Sequence, residues 1–141
     1  MIESPHEKKS WKVQDKARLL LAIMEELEGA AHISLEGSLR GVRLMSYPGA
    51  SHQPTAVLKR GTISPEQDFL VIPLGPSVGK EIIAALGGAI PKTVLHIQIE
   101  KHGVLEFGAY DNFHPECIFF GSAIRQTTVE SLVANEIIQP C

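Results

Sequence analysis

At 141 residues, 44% hydrophobic and 21% charged, the chain suits one folded domain with a real core and falls outside the disordered class. Its net charge of −3 argues against a general nucleic-acid binder, which carries a basic face; the longest basic clusters here are Lys8-Lys9 and Lys59-Arg60. No uncharged apolar run approaches the ~18 residues that a bilayer-spanning helix needs, and MIESPHEKKS lacks the apolar stretch of a secretory signal. Cys117 and Cys141 are too few for a disulfide framework, so a reduced, cytoplasmic protein is expected.

Residues 1–10 are polar, contain Pro5 and His6, and are expected to form a flexible tail ahead of a single domain over 11–141. A helix follows, with Ser10 as N-cap, Trp11 packing as a staple and Gly29 beyond its end. Val13, Ala17, Leu20, Met24 and Leu27 recur at spacings of four and three, a buried stripe that needs a sheet to cover. From Ala31 the period changes to two. Ile33 and Leu35 share one face, with His32, Ser34 and Glu36 on the other. Residues 42–47 read as a second strand, 48–54 as a loop, and 55–60 and 69–74 as two more strands, the last apolar on both faces and therefore central.

Residues 77–86 read as a short helix ended by Gly87-Gly88. A hairpin comes next. Leu95, Ile97 and Ile99 alternate with His96, Gln98 and Glu100, and Leu105, Phe107 and Ala109 alternate with Val104, Glu106 and Gly108. A two-residue His102-Gly103 loop would set Ile99 opposite Glu106. A three-residue loop, Lys101-His102-Gly103, instead pairs Ile99 with Leu105 and Ile97 with Phe107, and places Gln98 opposite Glu106. Residues 117–124 make the last strand, and Thr127-Thr128-Val129-Glu130 is a capping box opening a final helix closed by Pro140. The order α-ββββ-α-βββ-α predicts an α+β fold with three helices and a mainly antiparallel or mixed sheet of about six to seven strands.

LVIPLGPSVGKE, residues 70–81, imitates a phosphate-binding loop. The Walker pattern needs four residues between its first glycine and the Gly-Lys pair, then Ser or Thr for magnesium. Only Pro76, Ser77 and Val78 intervene here, and Glu81 replaces the hydroxyl residue. No P-loop nucleotide site is expected at Gly75–Lys80; the stretch reads as strand end, turn, Ser77 cap and helix.

Three constellations could carry chemistry. Asp111, His114 and Cys117 fall within seven residues and are all competent zinc ligands, while His114 beside Cys117 could activate the thiol. The loop also suits a plain strand-to-strand turn, in which Asp111 and Asn112 supply the turn chemistry and Cys117 begins a buried strand. On the hairpin, His96, Gln98 and Glu100 line one face. If the strand bearing His32, Ser34 and Glu36 lies beside it, the two form either a polar ligand pocket, with Glu106 as a further catalytic candidate, or a solvated sheet face. Arg40 and Arg43 flank a glycine, with Lys59-Arg60 further on; they could clamp a carboxylate or phosphate, or serve as edge-strand charges.

No strong catalytic signature emerges. The expected function is a small binding or protein-interaction module without catalytic activity, with a protein partner or a small ligand. It is expected to self-associate as a dimer, because three short helices leave part of a seven-stranded sheet bare. The alternatives are a metal- or thiol-dependent enzyme or metal-binding protein centred on Asp111, His114 and Cys117, and a small-molecule sensor using His32, His96 and Gln98.

Overall fold

The computed structural model describes residues 10–44 and 47–141. Residues 1–9 of the expected 1–10 tail, with His6, and Met45 and Ser46 of the expected second strand lie outside the described residues. In chain order the elements are β1 (Trp11–Val13), α1 (Lys16–Leu27), β2 (Ala31–Gly37), β3 (Asp68–Pro73), α2 (Val78–Ala85), β4 (Val94–Lys101), β5 (Val104–Ala109), a 3₁₀ turn at Pro115–Cys117, β6 (Ile118–Phe120), α3 (Gln126–Ala134) and β7 (Ile138–Pro140). The class is α+β as expected, with an antiparallel five-stranded sheet ordered β3-β2-β4-β5-β6 and a small sheet joining β1 to β7.

Alternation places the core. Ile33 and Leu35 of β2, Leu70 and Ile72 of β3, Ile97 and Ile99 of β4, and Phe107 and Ala109 of β5 are all buried in one cluster with the α1 stripe of Leu19, Leu20, Ile23, Met24 and Leu27. α1 begins later than its periodicity suggests. Trp11–Val13 pairs with Ile138–Pro140 instead of coiling, so Asp15, not Ser10, is the N-cap, its carboxylate accepting from the Arg18 N–H at 3.1 Å. Trp11 is buried edge-on against Phe120, with ring centroids 5.8 Å apart. At the other end of α1, the Lys101 ammonium donates to the carbonyls of Leu27 and Glu28, a cation at the negative end of the helix.

The expected strands at 42–47 and 55–60 are not strands where they are described. Leu39 and Leu44 turn into the main core, and Leu58 is fully buried in a second cluster with Phe69 and Val71. The Thr55 hydroxyl accepts from the N–H groups of Val57 and Leu58, giving that stretch a local alternative to a ladder. β2 and β3 are adjacent antiparallel strands, yet residues 38–67 connect them. Among its described residues the segment meets the outer edge of β3 at the bridge Ser51 to Val71, which blunts that edge.

The hairpin brings apolar residues together, but not in the expected pairs: Ile99 faces Phe107 and Ile97 faces Ala109, where Leu105 and Phe107 were expected. His102 and Gly103 both have positive φ and form a two-residue turn, with Lys101 opposite Val104. The extra residue sits inside the ladder: Glu100 faces Leu105 but Ile99 faces Phe107, so β5 bulges and Gln98 lies opposite Gly108, not Glu106. At the last helix the expected capping box is absent, since Arg125 is the N-cap and makes no side-chain cap bond. Glu26 of α1 caps from outside, accepting from the Arg125 backbone N–H at 2.7 Å and from the Thr128 hydroxyl. The last strand ends at Phe120, where Gly121 turns the chain, and residues 138–140 with Pro140 belong to β7. No helix among the described residues is long and apolar enough to cross a membrane.

Gly37 closes β2 with φ +151°, and a Cβ there would sit 2.1 Å from the Thr93 carbonyl oxygen. Gly37→Ala is expected to destabilise the fold by about 1–3 kcal/mol in chemical denaturation, because either β4 shifts or the bulge opens. A loss under about 0.5 kcal/mol, the range of ordinary surface changes, would contradict this close approach.

Candidate functional site

β2 and β4 are neighbours, with Glu36 opposite His96, Ser34 opposite Gln98 and His32 opposite Glu100. The two sets of alternating polar residues therefore share one face of the sheet. That face is not solvated: Ser34, Glu36, His96, Gln98 and Glu100 are all buried. Residues 58–62 lie against it, so the face that the helices leave is covered from within the chain.

The covering is held by side chains rather than by a ladder. Both carboxylate oxygens of Glu36 accept backbone N–H groups, from Gly61 at 2.7 Å and from Thr62 at 3.2 Å. Gln98 donates to the Lys59 carbonyl at 2.6 Å. His96 uses both ring nitrogens. Its Nδ1 accepts from the Asp111 backbone N–H at 3.2 Å, so Nε2 carries the hydrogen and donates to the Thr62 hydroxyl at 2.8 Å. The Gly61 backbone passes so close to this ring that a Cβ would lie 2.9 Å from it. Tyr110 lies against the ring at a tilt, centroids 5.7 Å apart, and burial pushes its phenol pKa up. Further along the face, His32 Nδ1 lies 2.6 Å from a Glu100 carboxylate oxygen, and the other oxygen accepts the Gly103 N–H.

Glu106 is also buried, and its carboxylate accepts from the Ala123 N–H at 3.0 Å, holding the turn after β6. Every one of these polar groups has a partner: among the described residues no buried side-chain nitrogen or oxygen is left without a hydrogen bond.

The loop after β5 follows different rules. Asp111, Asn112 and Phe113 are three successive residues with positive φ, a left-handed turn that costs each non-glycine residue roughly 1–2 kcal/mol. Asn112 offsets this with many bonds. Its N–H donates to the Leu95 carbonyl at 2.7 Å, its amide to the carbonyls of Pro91 and Val94, and its Oδ1 accepts from the Lys16 ammonium at 2.6 Å. Phe113 is buried beneath the same ammonium, 5.9 Å from its ring centroid.

In this loop Cys117 Sγ comes within 3.9 Å of an Asp111 carboxylate oxygen, whereas the His114 ring turns to the Glu116 N–H at 3.1 Å and starts the 3₁₀ turn. The Cys117 thiol pKa is pushed up, first by lost hydration and then by the carboxylates of Asp111 and Glu116. That is the reverse of what an activated nucleophile needs. Among the described residues no three His, Cys, Asp or Glu side chains gather in a group that could hold a metal ion.

Sequence reasoning named His96 and Gln98, and Asn112 as a turn residue, but missed Gly61 and Thr62. Asn112 carried a signal, since Asn is among the few residues that tolerate the left-handed region. Gly61 and Thr62 carried none, because a backbone N–H has no sequence signature. At Gly75–Lys80 the chain makes a turn into α2, with Ser77 in the left-handed region and no side-chain cap bond. The surface depressions among the described residues include a cleft of about 470 Å³ between α1 and α3 around Glu26 and a pocket of about 250 Å³ at the foot of the 38–67 segment. Comparison with known proteins returns no matching family model, no matching curated protein and no matching solved structure.

In a Cys141→Ser background, Asp111→Asn is expected to lower the pH midpoint of Cys117 alkylation by iodoacetamide. Removing one of the two carboxylates that oppose the thiolate lets it form at lower pH, from a wild-type midpoint above the ordinary thiol range. An unchanged midpoint would show that Asp111 does not act on the thiol.

Proposed function

We propose that this chain is a small recognition module without catalytic activity, and that the connection 38–67 is its binding element. The observation that carries this reading is the connection itself. Adjacent antiparallel strands need only about 2–5 residues to join them, and long irregular connections in compact domains are commonly functional. Here the described residues of the connection, 38–44 and 47–67, run from the main core past the edge of β3 to the opposite face, tied there by Glu36, His96 and Gln98. The polar residues that resembled catalytic groups are thus engaged in fixing a surface. Directly beyond the tie, Ile63 is 94% exposed, the most exposed large apolar side chain of the described residues.

The partner in this reading is a protein surface reached by a pre-ordered loop, in a cytoplasmic setting. Self-association no longer rests on a bare sheet face; a second copy binding through the same segment is one form of the reading.

The test is photo-cross-linking from position 63, with position 104 as the control, since Val104 is also exposed but lies on β5. The expected result is a discrete adduct from position 63 alone, suppressed by excess unmodified protein and not by excess Ile63→Asp protein. Equal adducts from both positions, or equal suppression by the Ile63→Asp variant, would overturn the reading.

A further inference from the structure

The pocket at the foot of the 38–67 segment is assembled from three places in the chain. Leu39 and Arg40 come from the stretch just after β2, His52 from beside the Ser51 bridge, and Asp68 and Phe69 from the start of β3. Its apolar part is set by the core, because Leu39 and Phe69 are both buried. Its polar part is fixed on one side. Asp68 Oδ2 accepts from the Leu39 N–H at 2.9 Å, which leaves Oδ1 as an acceptor without a partner among the described residues. His52 Nδ1 lies 3.3 Å from the Phe69 carbonyl, an acceptor only, so Nδ1 carries the hydrogen and Nε2 is left to accept.

The two charges are the informative feature. Arg40 and Asp68 line the same pocket of about 250 Å³, yet they form no ion pair with each other. Arg40 makes no hydrogen bond to any described residue. Arg60 nearby behaves otherwise: it donates to the Gln67 carbonyl at 2.6 Å, pairs with Glu66 at 3.4 Å and covers the Phe69 ring at 5.1 Å. So one guanidinium of the segment is spent on structure and the other is available at the pocket.

A ligand with a single charge would gain from one of these groups and be opposed by the other. A ligand with both charges, close together on a short apolar body, is matched by both. Pockets for drug-sized ligands are about 300–1,000 Å³, so this one suits something smaller. We propose that this pocket binds a free α-amino acid as its zwitterion. The carboxylate sits on Arg40, the ammonium on Asp68 and His52, and an apolar side chain against Leu39 and Phe69. This deepens the reading of the 38–67 segment as the binding element and rests on it: an amino acid seated at its foot would make the segment's surface conditional on that ligand.

The experiment is a thermal-shift series on the full chain with each of the twenty L-amino acids. For any that shifts the midpoint, its N-acetyl and carboxamide forms follow, each of which removes one of the two charges. At about a hundred times the dissociation constant the expected rise is roughly 5–10 °C for one or more amino acids with apolar side chains. It is expected to vanish for both derivatives and in Arg40→Gln, a variant that keeps the fold because Arg40 is exposed and bonded to no described residue. Asp68→Asn should weaken it as well. No shift with any amino acid, an equal shift with either derivative, or an undiminished shift in Arg40→Gln would overturn the proposal. Cross-linking from position 63 is read separately, so adducts that persist without amino-acid binding would remove the pocket and leave the recognition reading standing.

Discussion

A carboxylate taken out of water needs hydrogen-bond donors, and at Glu36 the donors are two consecutive backbone N–H groups, those of Gly61 and Thr62. Much else follows from this one bond pair. It fixes where the 38–67 segment lies, brings the Thr62 hydroxyl to His96 and presses Gly61 onto the imidazole. His96 then reaches the Asp111 N–H on its other nitrogen, so the covering segment and the left-handed turn after β5 are linked through one ring. The helix side of the sheet is held by apolar burial, which tolerates small shifts. The opposite side is held by directional bonds, which fix a register and a surface.

That division explains which parts of the fold could be read from the sequence. The alternation in 31–36 and 95–109 gave the strands, and the pairing of β2 with β4 joined the two polar sets that alternation could only place separately. The hairpin required apolar residues to meet, and they do; but the sequence pattern could not tell an extra residue in the loop from one in the ladder, and the chain chose a bulge in β5. Non-local pairing was invisible. Trp11–Val13 belongs to a strand because residues 138–140 lie beside it, and its local spacing continues a helical stripe equally well. Residues 55–60 alternate like a strand, yet Thr55 bonds its own neighbours and Leu58 takes the place of a ladder partner in the second apolar cluster.

The candidate site was legible only by half. His96 and Gln98 were identifiable as polar residues on a shared face, while the loop that occupies their hydrogen-bonding capacity was not. Both nitrogens of the His96 imidazole are engaged inside the chain, one with the Thr62 hydroxyl and the other with the Asp111 N–H. The Asp111–Cys117 loop shows the same distinction from another side. Residue types suited to a metal or a thiolate are present, but His114 bonds within its own turn and the thiol faces carboxylates. At the segment's foot the situation is reversed, since Arg40, Asp68 and His52 keep bonding capacity beside a buried apolar floor.

The most direct measurement is amide hydrogen exchange at Gly61 and Thr62, read by NMR in the wild-type protein and in Glu36→Ala. If the carboxylate ties the segment to the sheet, both amides should exchange slowly in the wild type, within reach of the β4 amides, and should lose that protection in the variant while β4 keeps its own. Exchange at Gly61 and Thr62 as fast as in an unstructured peptide, with β4 protected, would contradict the central claim that this face of the sheet exists to hold the segment in place.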